Sequence, residues 1–230
     1  MSAPLIFAVL FLSFCAITIL IDAIALFRQY NTGNRHNFFR FIDRCIIILS
    51  IIVILGSLLW DFNYLNYTSA VEHKDWKTIT LNDFKGLKKP FMTLDGQSDF
   101  AFISSTIEVH SNAEEIKIET LFHPCRSYVF NRNVFSKELL THELYHFHIT
   151  EYCARLMRQE VSENVQENKE INMNSIKNNF AIQERELQYR YDDETYHSYV
   201  VGKQIEWQNK IDSSLASLKN YAPTSISLKK

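Results

Sequence analysis

The sequence predicts an α+β protein: an N-terminal two-helix transmembrane hairpin, then a small antiparallel sheet, then a helical half. The prediction depends on a change in composition and a change in periodicity. Residues 1–60 are strongly apolar, whereas residues 70–230 have the polar and charged content of an ordinary globular domain. Within that polar part, strand-like alternation precedes Ser136 and helical periodicity follows it. The 24 basic and 26 acidic residues nearly balance, so the chain has no basic footprint for nucleic acid.

Two apolar stretches are predicted to cross a membrane. Pro4 to Phe27 is long enough for one crossing, which takes roughly 20 residues, and it lacks the basic start and the cleavage site of a signal peptide. Cys45 to Trp60 is a shorter second span. The segment between them is basic, with Arg28, Arg35, Arg40 and Arg44. Because basic loops stay in the cytoplasm, both termini and the C-terminal domain are predicted to lie outside the cytoplasmic membrane.

The chain is therefore predicted to have four parts. Residues 1–62 form the transmembrane hairpin with its Arg-rich cytoplasmic loop, and residues 63–75 form a juxtamembrane linker. Residues 76–221 form the globular domain, and residues 222–230 follow it as a C-terminal tail.

The sheet of this domain is predicted from two alternating stretches. Phe100 to His110 and Glu115 to Phe122 are expected to be strands, joined as a hairpin by residues 111–114. A third short strand is expected at Tyr128 to Phe130. Together they predict a small antiparallel sheet ahead of the helices.

Three helices are predicted in the second half of the domain. The first is amphipathic and runs from Ser136, its N-cap, to Glu160. The second covers Ile176 to Tyr191, and the third runs from about Tyr199 to Tyr221. The expected core contacts of the third helix are Ile205, Ile211, Leu215 and Leu218.

The first of these helices carries the motif His142-Glu143-Leu144-Tyr145-His146. Four residues make about one helical turn, so both imidazoles leave the same face and can hold one metal ion. Glu143 lies one step round the helix, where it can reach a water molecule on that metal without being a ligand. The alternative is a pair of core histidines that share the spacing by accident. The predicted helical context favours a catalytic Zn²⁺ site with Glu143 as the base.

A catalytic zinc site needs a third protein ligand, and the sequence offers two candidates for it. Glu151 lies five residues past His146, about 140° round the helix, and is expected to be a buried or supporting group instead. His197 closes an acidic segment, in which Asp193 could orient its ring if the segment is helical. From local composition alone, His197 is equally well described as a metal ligand and as a surface histidine.

Other side chains near the motif have weaker claims. His73, His110 and His123 lack metal-ligand spacing and are expected at the surface or at strand ends, and His148 faces away from the first pair. Tyr145 and Tyr191 are either donors to a developing oxyanion or structural residues. Cys125 and Cys153 either bond to each other or remain free, with the free thiols favoured; neither has a CxxC spacing.

Three stretches resemble one protein family. Residues 80–86 (TLNDFKG) resemble its opening W-x-D-F-x-G signature, with the Trp displaced to Trp76. Residues 139–155 (LLTHELYHFHITEYCAR) resemble its L-L-x-H-E-x-x-H-F-D-I-A-E-x-x-A-R helix, with His148 at the usual Asp. Residues 191–211 resemble its closing Y-D-x-x-T-x-H-G segment and the Q-x-x-W-x-x-x-I that follows, with Ser198 at the usual Gly.

This family is a bacterial domain of unknown function that is grouped with the HExxH zinc peptidases and is often exported. The resemblance covers roughly residues 76–218 and leaves out the predicted hairpin. It implies a zincin-like domain in which His142, His146 and His197 hold Zn²⁺.

The expected function is a membrane-anchored, zinc-dependent peptidase that hydrolyses peptide bonds outside the bacterial cytoplasmic (inner) membrane. Glu143 would take a proton from the water and then deliver it to the leaving amine. The expected partners are a peptide or protein substrate and the lipid bilayer, with a membrane protein as a further candidate. The alternative is a non-catalytic, membrane-tethered sensor or scaffold with a structural or vestigial metal site. Cleavage of peptides separates the two, because the scaffold would bind metal and cut nothing.

Overall fold

A computed structural model describes residues 16–21, 23–24, 35–61, 68–86, 101–129 and 136–228. The chain divides into two units, Met1–Tyr67 and Thr68–Lys230. Phe100, Phe130 and most of the predicted span from Pro4 to Phe27 lie outside the described residues.

The first unit is helical where it is described. Residues 16–21 and 23–24 are helical, and helix α1 covers Arg35–Asp61. Among the described residues, no helix combines the length and the apolar character needed to cross a membrane. The predicted two-helix transmembrane hairpin is therefore wrong, and so is the predicted localisation in the cytoplasmic membrane with the domain outside it. In α1, the apolar run from Cys45 to Trp60 lies between Arg44 and Asp61 and is shorter than the roughly 20 residues of one crossing.

The second unit is α+β, and its larger sheet is antiparallel. Strand β4 (Glu115–Phe122) pairs along its length with β3 (Ser105–Ser111). The two ends of β4 also pair with β1 (Val71–Glu72) and β6 (Ser225–Ser227). A separate pair consists of β2 (Ala101–Phe102) and β5 (Tyr128–Val129). The predicted β-hairpin is confirmed as β3 and β4, but the predicted strand from Phe100 to His110 is divided into β2 and β3.

The turn of the hairpin follows from one side chain. The Asn112 side-chain oxygen accepts hydrogen bonds from the backbone N–H groups of Glu114 and Glu115, at 2.8 and 2.9 Å. An Asn that bonds to backbone two or three residues ahead is a common way to close a turn. Beyond the turn, Ile116 and Ile118 point to the buried face of β4, as their alternation predicts.

Three long helices lie between strands β5 and β6 in the chain. Helix α2 covers Lys137–Gln166, α3 covers Met173–Thr195 and α4 covers Val201–Ser217. The predicted N-cap is confirmed, because the Ser136 hydroxyl accepts a hydrogen bond of 3.0 Å from the Leu139 N–H. Helix α2 packs against β3 and β4 and also against α3 and α4, so it is the central element of the unit.

Buried apolar side chains hold α2 in this position. Phe147 of α2 packs with Phe84 and Phe122 at one end of the sheet. Met157 and Val161 pack with Ile118 at the other end. On the helical side, Ile149 packs with Tyr191, Trp207 and Ile211. Ile205, an expected core contact, is 50% exposed; the buried residues of α4 are Gln204, Trp207 and Ile211.

The segment with the sequence TLNDFKG is structural. The Asp83 carboxylate accepts hydrogen bonds from the N–H and the hydroxyl of Thr80, both at 2.8 Å, in a capping box around the short 3₁₀ helix Leu81–Asp83. Phe84 is buried in the core. Gly86 donates a hydrogen bond of 2.7 Å to the Ser127 carbonyl, and a Cβ at this position would lie 2.7 Å from that oxygen. Only glycine allows this close approach.

Candidate metal centre

The two histidines of the motif face each other on α2. The Nε2 atoms of His142 and His146 are 3.2 Å apart, one helical turn along the same face. His142 is buried, with 2% of its surface exposed. The predicted juxtaposition of the two imidazoles is therefore confirmed.

Helix α3 brings a carboxylate to this pair. It runs antiparallel to α2, because Asp192 contacts His142 and His146 while Gln188 contacts His146 and Glu184 contacts Thr150. Asp192 Oδ1 lies 3.2 Å from His142 Nε2 and 2.9 Å from His146 Nε2. These three residues form a group able to hold a metal ion within the described part of the chain.

The size of this triangle suits zinc. A tetrahedral Zn²⁺ binds nitrogen and oxygen at about 2.0–2.1 Å, which separates neighbouring ligand atoms by roughly 3.3 Å. The observed separations are 2.9 to 3.2 Å. Two imidazoles and one carboxylate are also a ligand set found in catalytic zinc sites.

The charges of the group suit a bound cation. Burial alone would lower the pKa of His146, but the hydrogen bond to Asp192 and its charge outweigh burial and raise the pKa to about 9. For His142, burial dominates and lowers the pKa to about 4. Burial would raise the pKa of Asp192, but both histidines hold it well below its ordinary value. The negative charge of Asp192 attracts a cation to this position, either a proton on His146 or a metal ion that takes the place of that proton.

Gln188 and Tyr191 fix the two rings. The Gln188 side-chain oxygen lies 2.5 Å from His146 Nδ1, and its amide donates to the His146 carbonyl at 3.0 Å. Nδ1 of His146 therefore carries a proton, and its Nε2 is turned toward Asp192. The ring of Tyr191 stacks on His142, with centroids 4.7 Å apart and planes at 18°. His142 Nδ1 is buried and has no hydrogen-bond partner among the residues that the structure describes.

Glu143 is in place beside the group. It is 4% exposed, and its Oε2 accepts a hydrogen bond of 2.9 Å from the Ile103 N–H. This bond fixes the position of the carboxylate, and a general base must be positioned in this way. Glu143, both histidines and Asp192 line one cleft of about 260 Å³, whose opposite wall is the extended segment 101–105.

His197 lines the same cleft but is not a member of the three-residue group. Helix α3 ends at Thr195, and the next three residues are left-handed, with φ values of 48°, 50° and 79°. This turn directs His197 Nδ1 toward Asp192 Oδ1, at 3.6 Å, and leaves 40% of the His197 side chain exposed. The neighbour of His197 is therefore Asp192; Asp193, the expected one, is exposed. His197 as a metal ligand stays a prediction.

Asp192 is the functional candidate that the sequence reasoning did not single out. The sequence feature that could have indicated Asp192 is the Tyr-Asp pair at the start of the YDDETYH segment. Helical spacing could not identify it, because the partner histidines are on another helix. Only the antiparallel packing of α2 and α3 brings them together.

The remaining candidates have other roles. Glu151 is buried and faces away, bonded to Arg155 at 2.8 Å and to Arg158 at 2.6 Å. His148 also faces away, as expected. His73 lies at a strand end, directly after β1, and its Nε2 is 2.7 Å from His148 Nδ1. Both tyrosine hydroxyls donate elsewhere: Tyr145 to Asp212 at 2.9 Å and Tyr191 to the His142 carbonyl at 3.4 Å.

The cysteines of the second unit are free thiols. Cys125 and Cys153 are both buried and do not bond to each other. Burial raises the pKa of the Cys153 thiol to about 12, so it is a packing residue rather than a nucleophile.

The chain matches no family model, no curated protein and no solved structure. The resemblance to the HExxH peptidase family therefore stays a prediction that rests on the quoted motifs. The functional argument rests on the geometry of the cleft.

Proposed function

We propose that this chain is a zinc-dependent peptidase whose active site is the cleft between α2, α3 and residues 101–105. The observation that carries the proposal is the triangle of His142 Nε2, His146 Nε2 and Asp192 Oδ1, with a buried carboxylate, Glu143, in the same cleft. A hydrolytic zinc site needs three protein ligands and a neighbouring base, and these four side chains match that list.

His142, His146 and Asp192 would hold the zinc ion. When bound, zinc lowers the pKa of water to about 7 and polarises a carbonyl. Glu143 accepts the proton of the attacking water and passes it to the leaving amine. Asp192 balances the charge beside the two histidines, and Gln188 keeps the His146 Nε2 lone pair directed at the site.

The shape of the cleft favours a peptide as the substrate. The cleft wall runs from β2 into the first residue of β3, Ser105. Strand β3 pairs with β4 on one edge, and within the described residues no strand pairs with its other edge. An extended peptide binds such an edge through main-chain hydrogen bonds, and this would lay its backbone along the cleft.

The test is cleavage by the full-length chain and by Glu143→Gln. The wild-type protein is expected to carry one zinc per chain and to cut a diverse peptide library in a chelator-sensitive reaction. Glu143→Gln should keep the zinc and lose at least 100-fold in kcat, as for removal of a general base. Glu138→Gln is the matched control: it makes the same change in an exposed side chain of α2 and should cut normally. Zinc retention without cleavage of any library peptide would overturn the proposal and favour the scaffold.

A further inference from the structure

A third carboxylate lines the cleft besides Glu143 and Asp192. Glu184 is on α3, two helical turns before Asp192 and one turn before Gln188. Its Oε1 accepts a hydrogen bond of 2.6 Å from the Thr150 hydroxyl. Thr150 is one turn after His146 on α2, so Glu184 faces the cleft one turn beyond His146 and two turns from Asp192.

A hydrogen-bonded network holds this carboxylate. The Gln188 amide donates to Thr150 Oγ1 at 3.2 Å, and the Ser105 and Thr150 hydroxyls are 2.7 Å apart. Because Thr150 donates its proton to Glu184, Ser105 is the donor between the two hydroxyls. Glu184 is thus tied to α2, α3 and β3 at once, and its position is fixed before any substrate arrives.

The partners of Glu184 are neutral. Thr150 and Gln188 give it hydrogen bonds but no positive charge, and none of the described residues that line the cleft is Lys or Arg. Burial raises the pKa of the Glu184 carboxyl despite these bonds. A zinc ion would be balanced by Asp192 and Glu143, which leaves the charge of Glu184 without a counterpart among the described residues of the cleft.

We propose that Glu184 selects substrates with a cationic group beside the scissile bond. This proposal rests on the proposed peptidase function. The cation is an ammonium or a guanidinium that forms an ion pair with Glu184 in the cleft. One to two turns of helix are about 5 to 11 Å, a distance from the zinc ligands that a Lys or Arg side chain near the reacting carbonyl, or two to three residues of extended peptide, can span. The same chemistry is offered by two sources: a Lys or Arg side chain, or the free N-terminus of a peptide.

The test uses pairs of peptides on the full-length, zinc-loaded protein. One pair replaces a single Lys by norleucine in a peptide with both ends blocked. The other pair compares a free with an acetylated N-terminus in a peptide that lacks Lys and Arg. At least one pair should show about tenfold or higher kcat/KM for the cationic member, as expected for a hydrogen bond between charged groups. The pair that shows it identifies the source of the cation.

Two variants test the residue itself. Glu184→Gln keeps the shape of the side chain and should reduce that kcat/KM ratio to below about threefold. Glu186→Gln makes the same change two residues away in an exposed side chain, and it should leave the ratio unchanged. A binding measurement gives a second readout: Glu143→Gln protein should bind the cationic peptide about tenfold more tightly than its neutral match, and adding Glu184→Gln should remove the difference.

The failures of the two proposals are distinguishable. Cleavage of cationic and neutral peptides with equal kcat/KM would overturn the role of Glu184 and leave the peptidase intact. A preference that survives in Glu184→Gln would also overturn it. Binding of zinc with neither cleavage nor binding of any peptide would overturn the peptidase, and the role of Glu184 with it.

Discussion

At the scale of single residues, the structure and the sequence indicate different third zinc ligands. The family resemblance implies His197 as the third ligand. In the structure, the carboxylate oxygen that lies within 3.2 Å of both imidazole Nε2 atoms belongs to Asp192. His197 Nδ1 lies 3.6 Å from that same carboxylate oxygen, so its ring is placed to support Asp192 at the mouth of the cleft. The two roles make opposite predictions for zinc affinity.

Asp192→Ala should lose zinc affinity by at least 100-fold, because it removes a ligand and its charge. His197→Ala should lose less than tenfold, because the three ligands remain. The measurement is competition for zinc against a chromophoric chelator, with Asp193→Ala as the control, since Asp193 is exposed. Full zinc affinity in Asp192→Ala, together with its loss in His197→Ala, would return the third position to His197.

Gln188 is predicted to act on zinc through His146. Its oxygen lies 2.5 Å from His146 Nδ1, and groups in this position typically change metal affinity by 10–100-fold. Gln188→Ala should therefore weaken zinc binding by about that factor. Gln183→Ala removes an exposed glutamine from the same helix and should have no effect. Equal affinity of the two variants would show that the ring needs no support.

At the scale of elements, the elements that depend on near neighbours were predictable. The HExxH helix, its N-cap Ser136 and the β3–β4 hairpin follow from capping, periodicity and turn chemistry, and the structure has all three. The contacts that depend on tertiary packing between elements could not be predicted. Asp192 meets His146 only because α3 folds back along α2, and the buried side of α4 presents Trp207 rather than Ile205.

The apolar composition of the first unit led to the wrong prediction of a transmembrane hairpin. A run of isoleucine and leucine predicts a membrane span when its length suffices, but Arg44 and Asp61 bound the run in α1. Hydropathy alone does not separate a span from a shorter apolar helix. Among the described residues, no helix is both long enough and apolar enough to cross a membrane.

The loop at Gly86 gives a test at this scale. A Cβ at Gly86 would lie 2.7 Å from the Ser127 carbonyl oxygen and 2.8 Å from that of Cys125, both backbone atoms. Gly86→Ala should therefore destabilise the fold by about 1–3 kcal/mol, the usual cost of overpacking. Gly202→Ala is the control: its Cβ meets nothing within 4 Å, and in α4 alanine should leave stability unchanged or raise it by up to about 1 kcal/mol. Urea unfolding measures both, and equal stabilities would contradict the close approach.

At the scale of the whole molecule, a pair of histidines joins the N-terminal edge of the second unit to its central helix. His73 begins the 3₁₀ helix after β1, and His148 is on α2. Their rings are hydrogen bonded at 2.7 Å, and His148 also contacts the rings of Trp76 and Tyr145. Burial, followed for His73 by the neighbouring His148, lowers the pKa of His73 to about 2 and that of His148 to about 4. The folded protein therefore holds both rings neutral.

This pair predicts how stability depends on pH. Both folded pKa values lie below the unfolded value of about 6.5, so on acidification the unfolded chain takes up protons that the folded chain refuses. The free energy of unfolding is thus complete above pH 6.5 and falls below it. The fall reaches about 1.4 kcal/mol per pH unit for each histidine, and continues down to about pH 4 for His148 and to about pH 2 for His73.

Replacing either histidine should remove its share of that slope. Urea unfolding of the zinc-free protein between pH 7 and pH 4.5 should show a clearly shallower fall for His73→Gln and for His148→Gln than for the wild type. His110→Gln removes a histidine whose side chain is 66% exposed and should keep the wild-type slope. His73→Gln and His148→Gln are expected to lose part of their stability at pH 7 as well. The comparison is therefore between the slopes of the free energy of unfolding with pH and not between its absolute values. If the free energy of unfolding fell with pH in parallel for all four proteins, the His73–His148 pair would titrate normally. The two rings would then not be buried in the way that the structure shows.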